Sequence, residues 1–414
     1  MPECLAFRGF LYNQAKVNIK EVLAPPYDIV TQEEIEDYKK KSPYNIFHLE
    51  LPDTLEKAKL LLDQFLEEEI FVQNGKPTLY YHELLFTYEG KEYLRQGFIL
   101  LVRLHSFDEG IILPHERVFP KITEDRLELL KKTQFQFSQI YGLYEDPDRF
   151  TIKSLTSNKD FYIEVTLEGE TQRLAKIEDP KVIESVTSFL RDKKIYIADG
   201  HHRYTTALKY REYMQSLYGA NEKKDFNYIA MYLSPFEDPN LLMLPTHRIY
   251  TFSHREEFLH KLQFFAERIE TLSLSQAQEA LESIKEKRDF FLLVLENNLW
   301  LYKIKPSKLQ EISSQEQELS LLPLYNFLKI LELTLGISEE TLKEREEVEF
   351  LADPQEVIQR APQQGLGVLF PMVSPLILKE IASAGKLMPH KSTYFHPKIL
   401  TGLVISEVSG KDLP

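Results

Sequence analysis

The stretch IYIADGHHRYTTALKY, Ile195 to Tyr210, changes its period in the middle, and that change constrains the fold more than any other feature of the chain. Ile195, Tyr196, Ile197 and Ala198 form an apolar run suited to a buried strand. From about His202 onward, Ala207, Tyr210, Met214 and Leu217 recur on one helical face. Gly200 lies between, where a residue free to adopt positive φ permits a sharp turn. The pattern is strand, glycine turn, helix N-terminus. At such a terminus the first backbone N–H groups lack intrahelical partners and the dipole favours negative charge. Arg203 adds a forked donor suited to phosphate oxygens, and His201 and His202 add two more. Asp199 would repel a bare anion and is better read as a magnesium ligand, a base or a hydroxyl binder. Taken singly, these residues have ordinary roles: a capping Asp, a structural Arg pair, surface histidines. Five together at one turn point to an anion site.

Three other stretches are as dense in polar groups. LPHERVFP carries His115, Glu116 and Arg117; LPTHRIY carries Thr246, His247 and Arg248; MPHKSTYFHPK carries His390, Lys391, Ser392, Thr393, His396 and Lys398. With the opening motif they hold six of the 11 histidines, a clustering that packing does not explain. Zinc finds little support. Adjacent His201 and His202 would diverge by about 100° on a helix, no His-Glu-x-x-His motif is present, and the sole cysteine, Cys4, cannot complete a ligand set. The abundance of Arg and Lys favours an anion, and no transition metal is expected. The chain also lacks a Gly-x-Ser-x-Gly elbow, a Walker sequence and a kinase-type glycine-rich loop, so a nucleotide site must be of another kind.

The balance of 50 basic and 64 acidic residues, net −14, weighs against a nucleic-acid binder but leaves room for a small basic pocket. One cysteine excludes an intramolecular disulfide. Apolar runs such as Phe290–Leu295 are strand-sized, and the N-terminus carries no basic-then-apolar signal. The expectation is a cytoplasmic protein whose partners are a small-molecule substrate and a nucleotide, with no nucleic acid and no membrane.

Strands and helices alternate throughout the 414 residues, which predicts a mixed α/β (α+β) fold with more than one core. Thr31 and Glu34 form a capping box before a helix over Glu33–Lys40. Residues 78–104 read as a hairpin turning at Glu89-Gly90-Lys91. A helix capped by Thr123 follows the HERVFP loop. Residues 254–340 read as charged helices flanking a hairpin that turns at Asn297-Asn298, and the tail, KLMPHKSTYFHPKILTGLVI, reads as a loop running into a final strand. The domain expectation is a core over 1–250 with inserted strands at about 75–165, a helix–hairpin–helix part over 251–340, and a segment over 341–414 that returns to the site. The middle part could serve as a lid or as the surface of a homodimer.

PPYDIV, LPHERVFP, QIYGLYEDP, IADGHHRYTTAL, LPTHRIY and MPHKSTYFHPKILTGLVI, in this order from Phe7 to Ile405, resemble the bacterial and archaeal family called domain of unknown function 1015 (DUF1015). More distantly, PPYDIV paired with IADGHHRYTTAL is similar to the two boxes of the ParB/sulfiredoxin superfamily. There an early proline-containing segment precedes a helix, and a later Asp-Gly-x-x-Arg-x-x-Ala turn binds nucleotide phosphates. Here that later box falls on Asp199, Gly200, Arg203 and Thr206 or Ala207. A long run of chain separates the boxes, which implies a large strand-rich insertion. Sulfiredoxin chemistry would need a cysteine in the glycine turn, and a partition protein would need a helix-turn-helix. The resemblance therefore implies the branch of small-molecule kinases, with free L-serine as the leading acceptor.

On that reading the chain is a nucleotide-dependent phosphotransferase that uses ATP or ADP with magnesium. His202, Arg203, Arg248 and Lys391 would meet phosphate, with Gly200, His201, Thr206, His247, Ser392 and Thr393 beside them. Asp199 or Glu116 would hold magnesium. Glu116 is the first candidate base and Asp28 the second, with Tyr27, His115 and Arg117 lining the site. The competing classes are a nucleotide-operated switch protein without substantial catalysis and a metal-dependent hydrolase in the same pocket.

Overall fold

The computed structural model describes residues 1–118, 120–156 and 159–413. The chain divides into two compact units. Unit 1 comprises Met1–Pro114, Val118–Leu241 and Pro397–Pro414; unit 2 comprises His115–Arg117 and Leu242–His396.

Unit 1 is built on a nine-stranded mixed sheet. Its strand order is Ile112–Leu113, Ile195–Asp199, Ile140–Tyr144, Tyr228–Pro235, Lys91–Arg103, Leu79–Tyr88, Glu170–Ile177, Phe161–Leu167, with Cys4–Leu5 paired beside Lys91–Arg103. Ile195–Asp199 runs parallel to Ile112–Leu113, Tyr228–Pro235 runs parallel to Ile140–Tyr144, and the other pairs are antiparallel. Because side chains alternate across a sheet, register decides its two faces. One face is apolar: Phe98, Leu100, Ile140, Ile195, Ile197, Met231 and Leu233 join Val186 and Leu190 of helix Pro180–Leu190 in one buried core. The opposite face carries Gln172, His82, Arg95, Tyr232, Tyr141 and Asp199, a polar row that crosses six strands. Gly97 belongs to this row because a Cβ there would lie 2.4 Å from the Tyr232 ring.

Local signals decided several elements. The Thr31–Glu34 capping box is present and opens helix Gln32–Lys41. The hairpin pairs Leu79–Tyr88 with Lys91–Arg103 around Glu89 and Gly90. Thr123 is not a cap: the helix runs Pro120–Thr133, and Thr123 is buried inside it. The tail loop does run into a final strand, but a short one placed after Ile405. Gly402 sits at φ +91, and the closing strand is only Ser406–Glu407. Leu403, Val404 and Ile405 are buried as irregular chain instead.

The last residues close unit 1 against Asp225, whose carboxylate accepts the Gly410 and Lys411 N–H groups at 2.8 and 3.2 Å. Burial raises the Asp225 pKa from 3.8 to about 6, against the pull of those amides and with help from Glu407. An acid raised on folding stabilises the native state below its unfolded pKa, and that contribution is lost as pH rises through the folded value. Relative to Asp225→Asn, the wild-type protein is therefore expected to gain about 2 kcal/mol as pH falls from 8 to 4.5. Thermal melts of both proteins across that range check this, and a Tm difference that stays constant contradicts it.

Unit 2 holds a six-stranded antiparallel sheet in the order Ala266–Ser273, Asn298–Ile304, Phe290–Leu295, Leu366–Leu369, His247–Tyr250, Val348–Leu351. Ile249, Leu292, Val294, Leu299 and Leu301 pack with Ala280, Val357 and Ala361 from helices Ala277–Ser283 and Pro354–Gln364. The hairpin turn is Glu296–Asn297, one residue earlier than expected, with Glu296 at φ +53. Leu242–Pro245 pairs with Thr393–His396 as a separate ribbon. Among the described residues no helix is long and apolar enough to cross a membrane.

Candidate functional site

Two local features aim the site on unit 1. The ladder between Ile195–Asp199 and Ile140–Tyr144 carries an extra residue, Ala198, so that Asp199 rather than Ala198 faces Tyr141. Such a bulge re-aims the side chain that follows it. Gly200 then turns the chain at φ +92 as the N-cap of helix His201–Tyr218, where it offers no side chain for capping. A Cβ at Gly200 would lie 3.1 Å from Arg203 Nη2, so the glycine also lets the guanidinium lie against the turn.

Arg203 Nη2 donates to Asp199 Oδ2 at 2.9 Å and Nη1 donates to the Gln139 carbonyl at 2.6 Å. Lys398 Nζ donates to Asp199 Oδ1 at 2.5 Å. Two cations thus grip one carboxylate at the N-terminus of helix His201–Tyr218, where the helix dipole favours negative charge. The side chains of Asp199, Arg203 and Lys398 are 17, 14 and 9% exposed, so solvent screening there is partial. Burial opposes the charge on Arg203, but Asp199, Tyr27, Asp28 and Glu50 outweigh it and hold its pKa above the ordinary value.

The PPYDIV segment joins this cluster. Burial raises the Tyr27 hydroxyl while Arg203 and Arg126 pull it down, and the Arg126 guanidinium lies 4.7 Å over the Tyr27 ring. Arg126 Nη1 also donates to the Glu50 carbonyl at 2.8 Å and lies 3.7 Å from Glu50 Oε1. Burial raises the Glu50 carboxyl above its ordinary range against the pull of Arg126 and Arg203. Glu50, Arg126, Arg203 and Thr206 line one side of a cavity of about 60 Å³ that Leu129 and Phe137 help to close. That is room for about two waters.

The residues singled out in the sequence separate by unit. Tyr27, Asp28, Asp199, Gly200, His201, His202, Arg203 and Thr206 belong to unit 1; His115, Glu116, Arg117, His247, Arg248, Lys391, Ser392 and Thr393 belong to unit 2. Asp28 is exposed on a turn, His201 is buried on the first helical turn, and His202 is half-buried. Thr206 Oγ1 donates to the His202 carbonyl at 2.8 Å and so serves its own helix.

Within unit 2, three of the polar stretches meet. Arg248 is fully buried; Nε donates to Glu339 at 3.0 Å, and the Nη groups donate to the carbonyls of Thr246, Lys391 and His390 at 2.5, 3.1 and 3.0 Å. It clamps the tail loop to its own strand, and those bonds leave it poorly suited to phosphate. His247 is buried and pushed down to about 3 by burial and by Arg248, and its Nδ1 accepts the Phe370 N–H at 3.1 Å. That makes it a neutral core residue. His115 Nε2 lies 3.3 Å from Thr393 Oγ1, and Ser392 Oγ donates to the Pro389 carbonyl at 2.6 Å. Glu116 is half-buried. Lys391 is exposed at φ +47, and Arg117 makes an exposed ion pair with Glu340 at 2.9 Å.

Magnesium held by protein ligands does not fit. Both Asp199 oxygens face cations, and no group of three or more His, Cys, Asp or Glu that could hold a metal occurs among the described residues. Three members of the cluster carried no sequence signal of their own. Gln139 contributes a backbone carbonyl, and Glu50 and Arg126 sit in ordinary amphipathic surroundings, whereas Lys398 lies in the polar tail loop that the sequence singles out.

The chain is a two-unit mixed α/β protein whose unit 1 gathers Asp199, Arg203 and Lys398 at the start of helix His201–Tyr218. The family described as "Protein of unknown function (DUF1015)" matches residues 4–328, and the chain belongs to it. No functionally curated protein matches the chain. Three solved structures share part of its course. A free serine kinase in complex with AMP aligns with TM-score 0.35 at 12% identity, covering 74% of this chain and 92% of that one. A conserved hypothetical protein from Pyrococcus furiosus aligns at 0.34 and 13%, covering 74 and 95%. SbnI with a C-terminal truncation, from Staphylococcus aureus, aligns at 0.39 and 10%, covering 74 and 86%. Likeness at this level carries no argument about activity.

Proposed function

We propose that the chain is a nucleotide-dependent phosphotransferase acting on a small hydroxyl compound, with unit 1 as an elaborated ParB/sulfiredoxin-like core. The observation that carries this reading is the start of helix His201–Tyr218 directly after the Gly200 turn, with Arg203 and Lys398 gripping Asp199 beside it. Phosphoryl transfer asks mainly for positioning and for cations around the moving group. The helix amides and Arg203 receive the phosphates, and Lys398 keeps Asp199 from repelling them. Magnesium belongs to the nucleotide as delivered rather than to a cage of protein ligands. Asp28, on the segment that meets Arg203, accepts the proton of the acceptor hydroxyl. The sequence resemblance makes free L-serine the first acceptor to try.

Purified protein with ATP or ADP, magnesium and L-serine is expected to yield O-phosphoserine, read by phosphorus NMR, with other small hydroxyl compounds as a panel. Asp28→Asn should lower kcat by about a hundredfold or more while ADP affinity holds. An equal loss with Glu116→Gln and none with Asp28→Asn would move the base to unit 2, and Lys391→Ala tests that unit's loop in the same assay. Nucleotide binding without turnover on any acceptor would favour a switch protein. No nucleotide binding at all would end the phosphate reading.

A further inference from the structure

Lys398 reaches Asp199 from irregular backbone between strand Thr393–His396 and the closing strand Ser406–Glu407. A loop lysine has four rotatable carbons and no intrinsic reason to stay put. What holds this one is a side chain from the far part of the sheet. Gln172, buried on strand Glu170–Ile177, donates from Nε2 to the Lys398 carbonyl at 3.3 Å, and its Oε1 accepts the Leu400 N–H at 3.4 Å. The amide thus pairs with alternate residues of the tail, as a neighbouring strand would. His82 is fully buried, with Nε2 3.0 Å from the same Oε1. An amide oxygen only accepts, so Nε2 carries the proton and the orientation of the Gln172 amide is fixed. Burial and the nearby Arg95 charge keep His82 neutral even though its contact with Gln172 pulls the other way.

We infer that Gln172, backed by His82, is a positioning residue: it holds the 398–400 backbone so that Lys398 stays on Asp199, and it thereby sets the affinity of the site for a phosphate-bearing ligand. The inference rests on the anion reading of that site. Each amide contact is long and weak singly. Removing the amide, however, takes a donor from the half-buried Lys398 carbonyl and an acceptor from the buried Leu400 N–H, which costs more than the bonds contribute. Gln172 acts through the backbone it holds, so its effect on ligand binding must pass through the Lys398 side chain.

That dependence supplies the test. ADP affinity is measured by calorimetry for the wild-type protein, Gln172→Leu, Lys398→Ala and the double variant. Gln172→Leu is expected to weaken ADP about three- to tenfold in the wild-type background and to leave it within about twofold in the Lys398→Ala background. Gln172→Glu keeps the acceptor for Leu400 and loses the donor to Lys398, and it serves the same cycle should the apolar variant not fold. A purely structural glutamine would lower Tm in both backgrounds with no such coupling. Equal losses in both backgrounds, or no loss in either, overturn the inference while leaving the anion site standing. A wild-type protein that does not bind ADP removes the site reading itself, and this inference with it.

Discussion

Arg203→Ala should weaken ADP binding on the order of a hundredfold or more and lower folding stability by about 3 kcal/mol. Both effects come from one geometry. The guanidinium joins Asp199 to the Gln139 carbonyl at the start of the helix. Without it, the charge of the Asp199–Lys398 remainder falls to zero, and a mostly buried carbonyl loses its donor. Arg203→Lys separates the two effects. It keeps the charge but not the fork, so the fold should hold while affinity still drops about tenfold. Calorimetric titration with ADP and urea denaturation of the three proteins check this. Arg203→Ala that bound ADP as the wild type does would remove phosphate from the account of unit 1.

The second large effect belongs to unit 2. Arg248→Ala is expected to cost about 4 kcal/mol, because it strips a fully buried guanidinium from Glu339 and from three backbone carbonyls. Glu339, whose side chain is only 10% exposed, would be left as a nearly buried charge without its cation. The Tyr250 hydroxyl, 2.8 Å from the same Glu339 oxygen, cannot replace that charge. The double change Arg248→Met with Glu339→Leu should recover a large share of the loss, since removing both members of a buried pair is far milder than removing one. Urea denaturation measures each step. A loss near zero for the alanine variant would contradict the clamp.

The sequence made the local features of this molecule legible and left the partnerships hidden. Thr31 and Glu34 announce a helix start because a capping box lies within four residues. The strand, Gly200 and helix of the opening motif are legible for the same reason, since period and backbone freedom change over a few positions. The bulge at Ala198 is not, because it is a property of pairing with Ile140–Tyr144. Gln139, Glu50, Arg126, Gln172 and Lys398 are likewise assembled by tertiary structure from scattered parts of the chain. Strand Ala266–Ser273 escaped because it is an edge strand, where Glu267, Arg268 and Glu270 face water and no alternation survives. Arg248 and His247 misled for the opposite reason: polar residues in a dense motif can be internal fasteners.

The return of Pro397–Pro414 to unit 1, after the whole of Leu242–His396 has gone to unit 2, has a consequence for biosynthesis. A ribosome delivers the chain from its N-terminus, so the Asp199–Arg203 pair is made long before Lys398 exists. The second cation can dock only after every residue of the other unit has left the tunnel. A translation product that ends before Pro397 therefore carries the Asp199–Arg203 pair without the cation that grips the other carboxylate oxygen.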